Sequence, residues 1–395
     1  MNFYLKNNVF DEALNRIRFL FDEFPNIVVS VSGGKDSTVV FNLALKVAEE
    51  KGRLPLNVLF IDQEAEWNCV IDNIKKMMYS PMVNPMWMQI PFELINATSE
   101  GVTGNISVWD EEHPELWIRE KDDVSYKENI YGERHFYRLF NGIIDKKFNG
   151  ERVANIGGIR CEESPMRRNG ITNTPVYKYI TWGKKLNKEK EQFTFYPLYD
   201  WSYTDVWKAI RDNKWEYCRL YDYFYQHGVP LYEMRVSNVH HETAVKSLYI
   251  MQEIEPELWE KITAKIQGIN TAGMIKRDAF SVSALPSMFE SWEEYRDYLL
   301  EKLIIDEKVK EKFLRIFNRP NTEIYKQNKL FYDNFCRVCC NAVLRNDFEE
   351  TIIKNFLTKP EAGIWIKWKK GKTTDDDIKR YQNKYYVYEQ NRCNQ

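Results

Sequence analysis

The residues whose types and spacing could do chemistry begin at the junction inside IVVSVSGGKDSTVVFNLALKVAEEKG, residues 27 to 52: Ser32, Gly33, Gly34, Lys35, Asp36 and Ser37. A strand that ends in small residues before a helix leaves backbone N–H groups unpaired at the positive end of the helix dipole. Such a junction binds an anion, most often phosphate. Gly33 and Gly34 let a ligand approach the main chain. Ser32 and Ser37 add hydroxyl donors, and Lys35 adds a compact positive charge. Asp36 is itself an anion, so its place is to orient the loop or to help hold a Mg²⁺ ion. The spacing is neither the G-x-x-x-x-G-K-[ST] of a Walker loop nor the G-x-G-x-x-G of a dinucleotide fold.

Three further groups stand out. GGIRCEESPMRR, residues 157 to 168, places Arg160 and Arg167 beside a glycine turn, which makes a fork-shaped site for phosphate or sulfate. IDQEAEW offers Asp62, Glu64 and Glu66 at the end of a strand, either for hydrogen bonds to a ligand or as a solvated acidic loop. CRVCC carries Cys336, Cys339 and Cys340, three thiols where a structural zinc or a cubane cluster needs four ligands. Cys69, Cys161, Cys218 and the pair His240-His241 are further ligand candidates; the alternative is that the cysteines pack in a helix.

The elements that position these groups follow from periodicity. Phe10, Ala13, Leu14, Ile17, Leu20 and Phe24 lie at helical spacing, and Pro25-Asn26 ends that helix. IVVSVS is a short buried strand, residues 37 to 50 a helix stopped by Lys51-Gly52, and NVLFID at 57 to 62 a second buried strand. Strand, helix and strand in so short a span make a βαβ unit and hence a parallel sheet. PMWMQIP at 85 to 91 and RVANIGGI at 152 to 159 supply a third and a fourth strand, with a tryptophan- and glutamate-rich insertion between them that reads as lying over the sheet. QFTFYPLYDWSYTDVWKAI reads as strand, turn and helix, with Asp200 to Asp205 supplying caps. Beyond about residue 235 the alternation stops, and the segments at 242 to 267 and 291 to 317 read as amphipathic helices.

The chain has 395 residues, enough for two domains. A formal net charge of −2 excludes a polycation that binds nucleic acid by phosphate neutralisation alone. Seven cysteines without a small-domain disulfide framework fit a reducing compartment, no opening segment has the form of a signal peptide, and no run approaches ~18 apolar residues. A cytoplasmic protein with no membrane span is expected.

The string SGGKDS resembles the PP-loop of the adenine nucleotide alpha hydrolase superfamily. Within it, residues 25 to 230 are similar to the phosphoadenosine phosphosulfate (PAPS) reductase family. That family's G-x-R-x-x-[EQ]-S-x-x-R maps onto Gly158, Arg160, Glu163, Ser164 and Arg167, and its P-[IL]-x-D-W-x-x-x-D-V-W onto Pro197 to Trp207. The resemblance implies an α/β fold with a parallel-sheet PP-loop domain over 1–235, carrying an insertion at about 92–150, and a mostly helical C-terminal domain over 236–395. It implies an ATP or PAPS-like adenine nucleotide held by residues 32 to 37, with Lys35 and Asp36 catalytic. Asp62 and Glu64 fall near the adenosine, and Arg160 and Arg167 face a second anionic group.

The reductases' Glu-Cys-Gly-x-His tail is missing; this chain ends EQNRCNQ, with Cys393 alone. The Cys-Cys pair and separate Cys-x-x-Cys of the iron–sulfur branch are also missing, so no cluster is expected. A looser resemblance, through VWDEEHPELWIRE and AVLRNDF, is to prophage-associated coactivator-like members described as partners of a ParB-like protein. Three readings stand: an ATP pyrophosphatase that adenylates an acceptor, a thiol-dependent PAPS reductase, and a nucleotide-dependent regulatory module acting with a ParB-like partner or DNA. GIWIKWKKGK offers either a DNA contact or a packed surface strand.

Overall fold

The structure, a computed structural model, describes residues 6–95, 105–187 and 189–236, most of 238–266, 284–304, 306–318 and 329–345, and isolated residues between and beyond them up to 379. His241, Cys393 and the run 363–370 lie outside the described residues. The chain divides into two compact units, Met1–Ser99 with Asn105–Gly273, and Glu100–Gly104 with Met274–Gln395.

The first unit is built on β1 (Asn26–Ser30), β2 (Leu56–Ile61) and β3 (Val83–Met88), preceded by α1 (Val9–Glu23) and linked by α2 (Lys35–Glu50) and α3 (Asn68–Met78). These strands pair in parallel, Val28 with Asn57 and Leu56 with Val83. Val28 and Val29 are both fully buried because helices cover both faces of the sheet, which is why the strand reads as an unbroken β-branched run. Val29 meets Leu14, Ile17 and Leu43 of α1 and α2 in one core cluster, and Val28 belongs to the cluster on the other face. The α2 helix starts at Lys35, two residues before the expected Ser37, with Gly34 as N-cap.

Residues 92–150 supply a separate antiparallel hairpin, β4 (Phe92–Ile95) with β5 (Asn105–Val108), and also parts of the main layer. β6 (Ser125–Tyr126) extends the sheet edge beside β3, and α4 (Phe136–Lys147) buries Leu139, Ile143 and Ile144 against Val28, Leu59 and Met86. β7 (Val153–Ile156) then pairs in parallel with the opposite side of β1, Ile27 against Ala154. Beyond a short α5 (Pro165–Thr172), β8 (Gly183–Asn187) and β9 (Gln192–Phe195) complete a seven-stranded sheet of order β6-β3-β2-β1-β7-β9-β8, in which only β8 is antiparallel.

α6 (Tyr203–Asn213) starts in a capping box of Ser202 with Asp205. Asp200, expected among the caps, instead takes the Arg16 guanidinium in a fork at 2.7 and 2.6 Å, and Trp201 Nε1 donates to Val9 O at 3.0 Å. This segment therefore fastens α1 to the sheet. After α7 (Leu220–Gln226), the expected helix at 242 to 267 divides into α8 (Leu248–Ile254) and α9 (Pro256–Lys265). Pro256 opens the second helix, and the Glu255 carboxylate turns away to accept the N–H groups of Asn68 and Cys69 at the start of α3.

The second unit contains α10 (Trp292–Leu303), α11 (Glu307–Phe317) and α12 (Lys329–Leu344) around Leu299, Leu300, Phe313, Phe317 and Phe335. It is mostly helical, as expected, although 291 to 317 forms two helices. No helix among the described residues is long and apolar enough to cross a membrane.

Because Ile143 of α4 is fully buried on one face of the central strands, Ile143→Ala should lower unfolding free energy by about 2–5 kcal/mol. Urea unfolding followed by tryptophan fluorescence measures this; a loss under ~0.5 kcal/mol contradicts the packing described.

Candidate functional site

The strand order reverses between β1 and β7, and the turns that leave these two strands meet in the crevice where open α/β sheets hold ligands. After β1, Gly33 adopts φ +72°, and a Cβ there would stand 2.6 Å from Val70 Cγ1, so only glycine fits. Asn73 Nδ2 holds Gly33 O at 3.2 Å. The Ser37 and Thr38 hydroxyls donate to Gly34 O at 2.9 and 3.0 Å, and Ser37 Oγ accepts the Ser32 N–H at 3.2 Å. The hydroxyls thus brace the loop, leaving the start of α2 to be met by other groups.

After β7, Gly158 lies directly on that start: a Cβ would come 2.8 Å from Asp36 C and from Ser37 N. The next turn aims Arg160, only 4% exposed, back at the loop. Its Nε donates to Asp36 Oδ1 and its second arm to Glu162 at 2.6 Å. Lys35, also 4% exposed, reaches Asp36 Oδ2 at 3.2 Å and Met234 O at 3.4 Å. Burial pushes the Lys35 ammonium below its ordinary pKa while Asp36 pulls it back. Arg167 pairs with Glu163, and Arg235 donates to Glu163 O at 3.0 Å. Burial and the neighbouring Arg235 charge lower the Arg167 pKa, with Asp36 opposing. Ser164 serves as N-cap of α5, accepting the Arg167 N–H at 3.1 Å.

The result is a set of four cations near a helix N-terminus, Lys35 and Arg160 on the Asp36 carboxylate and Arg167 and Arg235 at Glu163. Such a set attracts a polyanion. Both Asp36 oxygens are already taken by cations, so this residue organises the charges and is not a ready Mg²⁺ ligand. Among the described residues, no group of three or more His, Cys, Asp or Glu side chains is placed to hold a metal.

Asp62 and Glu64 are not brought to the loop residues; they are fully buried in a separate network. Asp62 accepts from Trp87 Nε1 at 2.9 Å, Gln89 Nε2 at 3.0 Å and the Glu64 N–H at 2.9 Å, and pairs with Arg119. Glu64, at φ +67°, accepts the N–H groups of Trp109 and Ile118 at 2.6 and 3.0 Å and the Lys265 ammonium at 2.6 and 2.7 Å. These carboxylates bind the insertion and α9 to the end of β2. His240 is buried, its pKa pushed down to about 4 by desolvation.

Cys336, Cys339 and Cys340 all face the core of the second unit. Burial pushes the Cys336 and Cys340 thiols up to about 12 and the Cys339 thiol well above its ordinary value. The zinc reading gains no support from these three residues.

Sequence reasoning missed Tyr221, Met234 and Arg235. The Tyr221 hydroxyl accepts the Lys35 N–H at 2.9 Å, and the Lys35 ammonium lies 5.2 Å from the centre of its ring. No fixed spacing links these residues to the glycine loop, so only the fold reveals them.

A largely parallel sheet wound from both sides, with an anion-seeking glycine loop at its point of reversal, defines a nucleotide-binding α/β class. The phosphoadenosine phosphosulfate reductase domain model matches residues 26–227, just over half of the chain, and the protein belongs to that family. A domain of unknown function, DUF3440, matches residues 228–330. The chain is 27% identical over 278 residues to the uncharacterized protein YbdN of Escherichia coli (strain K12), covering 68% of this chain and 67% of that one. It is 23% identical over 224 residues to sulfate adenylyltransferase subunit 2 of Akkermansia muciniphila, covering 53% of this chain and 64% of the relative. Among solved structures, the PAPS reductase of Candida auris in a phosphate complex aligns with 61% of this chain and 99% of its own, at 16% identity and a TM-score of 0.35.

In the buried network at the end of β2, burial and the Asp62 charge push the Glu66 carboxyl up to about 8, with Arg119 opposing. In the unfolded chain the group ionises near its ordinary 4.5. Between those values only the native state keeps the proton, so native stability falls as pH rises, by up to ~1.4 kcal/mol per pH unit. Glu66→Gln should flatten the stability profile between pH 5 and 8, as read by urea unfolding at each pH; parallel profiles for variant and parent show that Glu66 is ionised in the native state.

Proposed function

We propose that the chain binds the phosphates of an adenine nucleotide at residues 32 to 37 and cleaves the α–β anhydride of ATP. An acceptor oxygen attacks the α-phosphorus, the bond to the bridging oxygen breaks, and an adenylated acceptor and pyrophosphate leave. The observation that carries this reading is the set of four cations at Asp36 and Glu163, near the start of α2. Lys35, Arg167 and Arg235 neutralise the charge that develops on the departing pyrophosphate, and the loop N–H groups donate to its oxygens. Arg160, fixed between Asp36 and Glu162, is a positioning residue. A Mg²⁺ ion would arrive with the nucleotide, held chiefly by phosphate oxygens. The PAPS reductase domain match supports the nucleotide class, and the adenylyl transfer named in one relative agrees with the reaction.

The test is mass-spectrometric product analysis after incubation with Mg²⁺ and ATP, and in parallel with PAPS and a dithiol. AMP or an adenylated product with pyrophosphate is expected from the parent and is lost in Lys35→Ala. Intact ATP together with sulfite from PAPS replaces this reading by sulfonucleotide reduction. Neither product leaves a nucleotide-binding regulatory role, with a ParB-like partner or DNA as the next search.

Arg235→Ala should weaken ATP binding about 10–100-fold, the loss of roughly one charge-assisted contact, with the thermal midpoint nearly unchanged. Calorimetric titration measures it; an unchanged affinity removes Arg235 from the site.

A further inference from the structure

Two thiols outside the cation cluster stand within reach of each other. Cys218 Sγ lies 4.0 Å from Cys69 Sγ and donates to Cys69 O at 3.5 Å. Both are free thiols; Cys218 is buried and Cys69 partly exposed. Cys69 lines a cavity of about 420 Å³, together with Asn73, Lys75, Lys76, Tyr217 and Arg219, so a small oxidant has a path to the pair. A disulfide requires about 2.0 Å between sulfurs, so closure from 4.0 Å means a movement of about 2 Å.

Both cysteines sit one step from the glycine loop. Cys69 is in the first turn of α3, next to Val70, whose Cγ1 is the atom that forbids a side chain at Gly33. Cys218 precedes α7, where its carbonyl accepts the Tyr221 N–H at 3.3 Å, and the Tyr221 hydroxyl holds the Lys35 N–H. A bond between the two sulfurs therefore ties together the two segments that flank the loop.

We propose that Cys69 and Cys218 form a redox modification site: a hydroperoxide oxidises them to a disulfide, which pins Tyr221 onto the Lys35 N–H at the start of α2. One thiolate attacks a peroxide oxygen, giving a sulfenic acid and, from hydrogen peroxide, hydroxide that leaves as water. The other thiol attacks the sulfenic sulfur and expels a second water, so two thiols and one peroxide yield one disulfide and two waters. The phenol already accepts this loop N–H, which a phosphate would seek, in the free-thiol form; the disulfide makes its release rarer, and a thiol reductant restores the ordinary rate of release.

The test treats full-length protein with stoichiometric hydrogen peroxide and maps disulfides by peptide mass spectrometry. Amide hydrogen exchange over the peptide containing residues 33–37 is compared before and after oxidation. The expected result is a Cys69–Cys218 linkage reversed by dithiothreitol, with several-fold slower exchange in the oxidised form. The slowing should vanish in Cys69→Ser and in Cys218→Ser, which cannot form the bond, and in Tyr221→Phe, which forms it but lacks the accepting oxygen. No linkage at this pair overturns the site, and a linkage without slower exchange overturns its coupling to the loop. Both measurements are made without nucleotide, so they stand or fall separately from the anhydride reading.

Discussion

The constraint on which the structure depends is the pairing of β1 with β7 at the place where the strand order turns back. Two parallel neighbours whose connecting chains depart in opposite directions leave a gap at their carboxyl ends that no crossover fills. The loop residues are drawn there: the turn after β1 delivers Gly33 to Ser37, and the turn after β7 delivers Gly158 and Arg160. The absence of a side chain at Gly158 lets the second turn rest on the peptide of Asp36, so the two turns act as one surface. On that surface Arg160 and Lys35 share the Asp36 carboxylate, one from each turn.

Buried charge in this unit is managed in two different ways. Around the loop, four cations stand against the carboxylates of Asp36, Glu162 and Glu163, and the small excess is available to a ligand. At the end of β2 the balance is closed: Asp62 and Glu64 are met by Arg119, Lys265, the Trp87 indole, the Gln89 amide and several backbone donors, which together offset the desolvation of carboxylates with no exposed surface. One cluster is poised for an anion from outside, and the other is spent on holding separate stretches of chain together.

Much of this was readable in the residues, for local reasons. A β-branched strand, two glycines and an amphipathic helix within one short run dictate the loop, since each element reinforces the next. The glycine turn before Arg160 is equally local. What the residues do not reveal is long-range partnership. Asp62 and Glu64 look the same in sequence whether they meet a ribose or Arg119 and Lys265, which lie 57 and 201 positions away. Asp200 resembles a cap, yet Arg16 claims it; Ser202, two residues on, caps the helix instead. The break between α8 and α9 was marked by Pro256, but the tie from Glu255 to the start of α3 appears only in three dimensions. Tyr221 and Arg235 had no local signal at all.

The seam between the two matched families does not coincide with a seam in the molecule. The reductase-type segment ends at 227, but Met234 and Arg235 line its loop and Lys265 neutralises its Glu64, all from the segment that follows. Excised at that seam, the nucleotide domain would keep its sheet and loop, yet carry a sealed carboxylate stripped of its ammonium, a defect on the order of 3–5 kcal/mol. The segment of unknown function is in this sense a structural cofactor of the domain before it: electrostatics, as well as chain connectivity, joins the two.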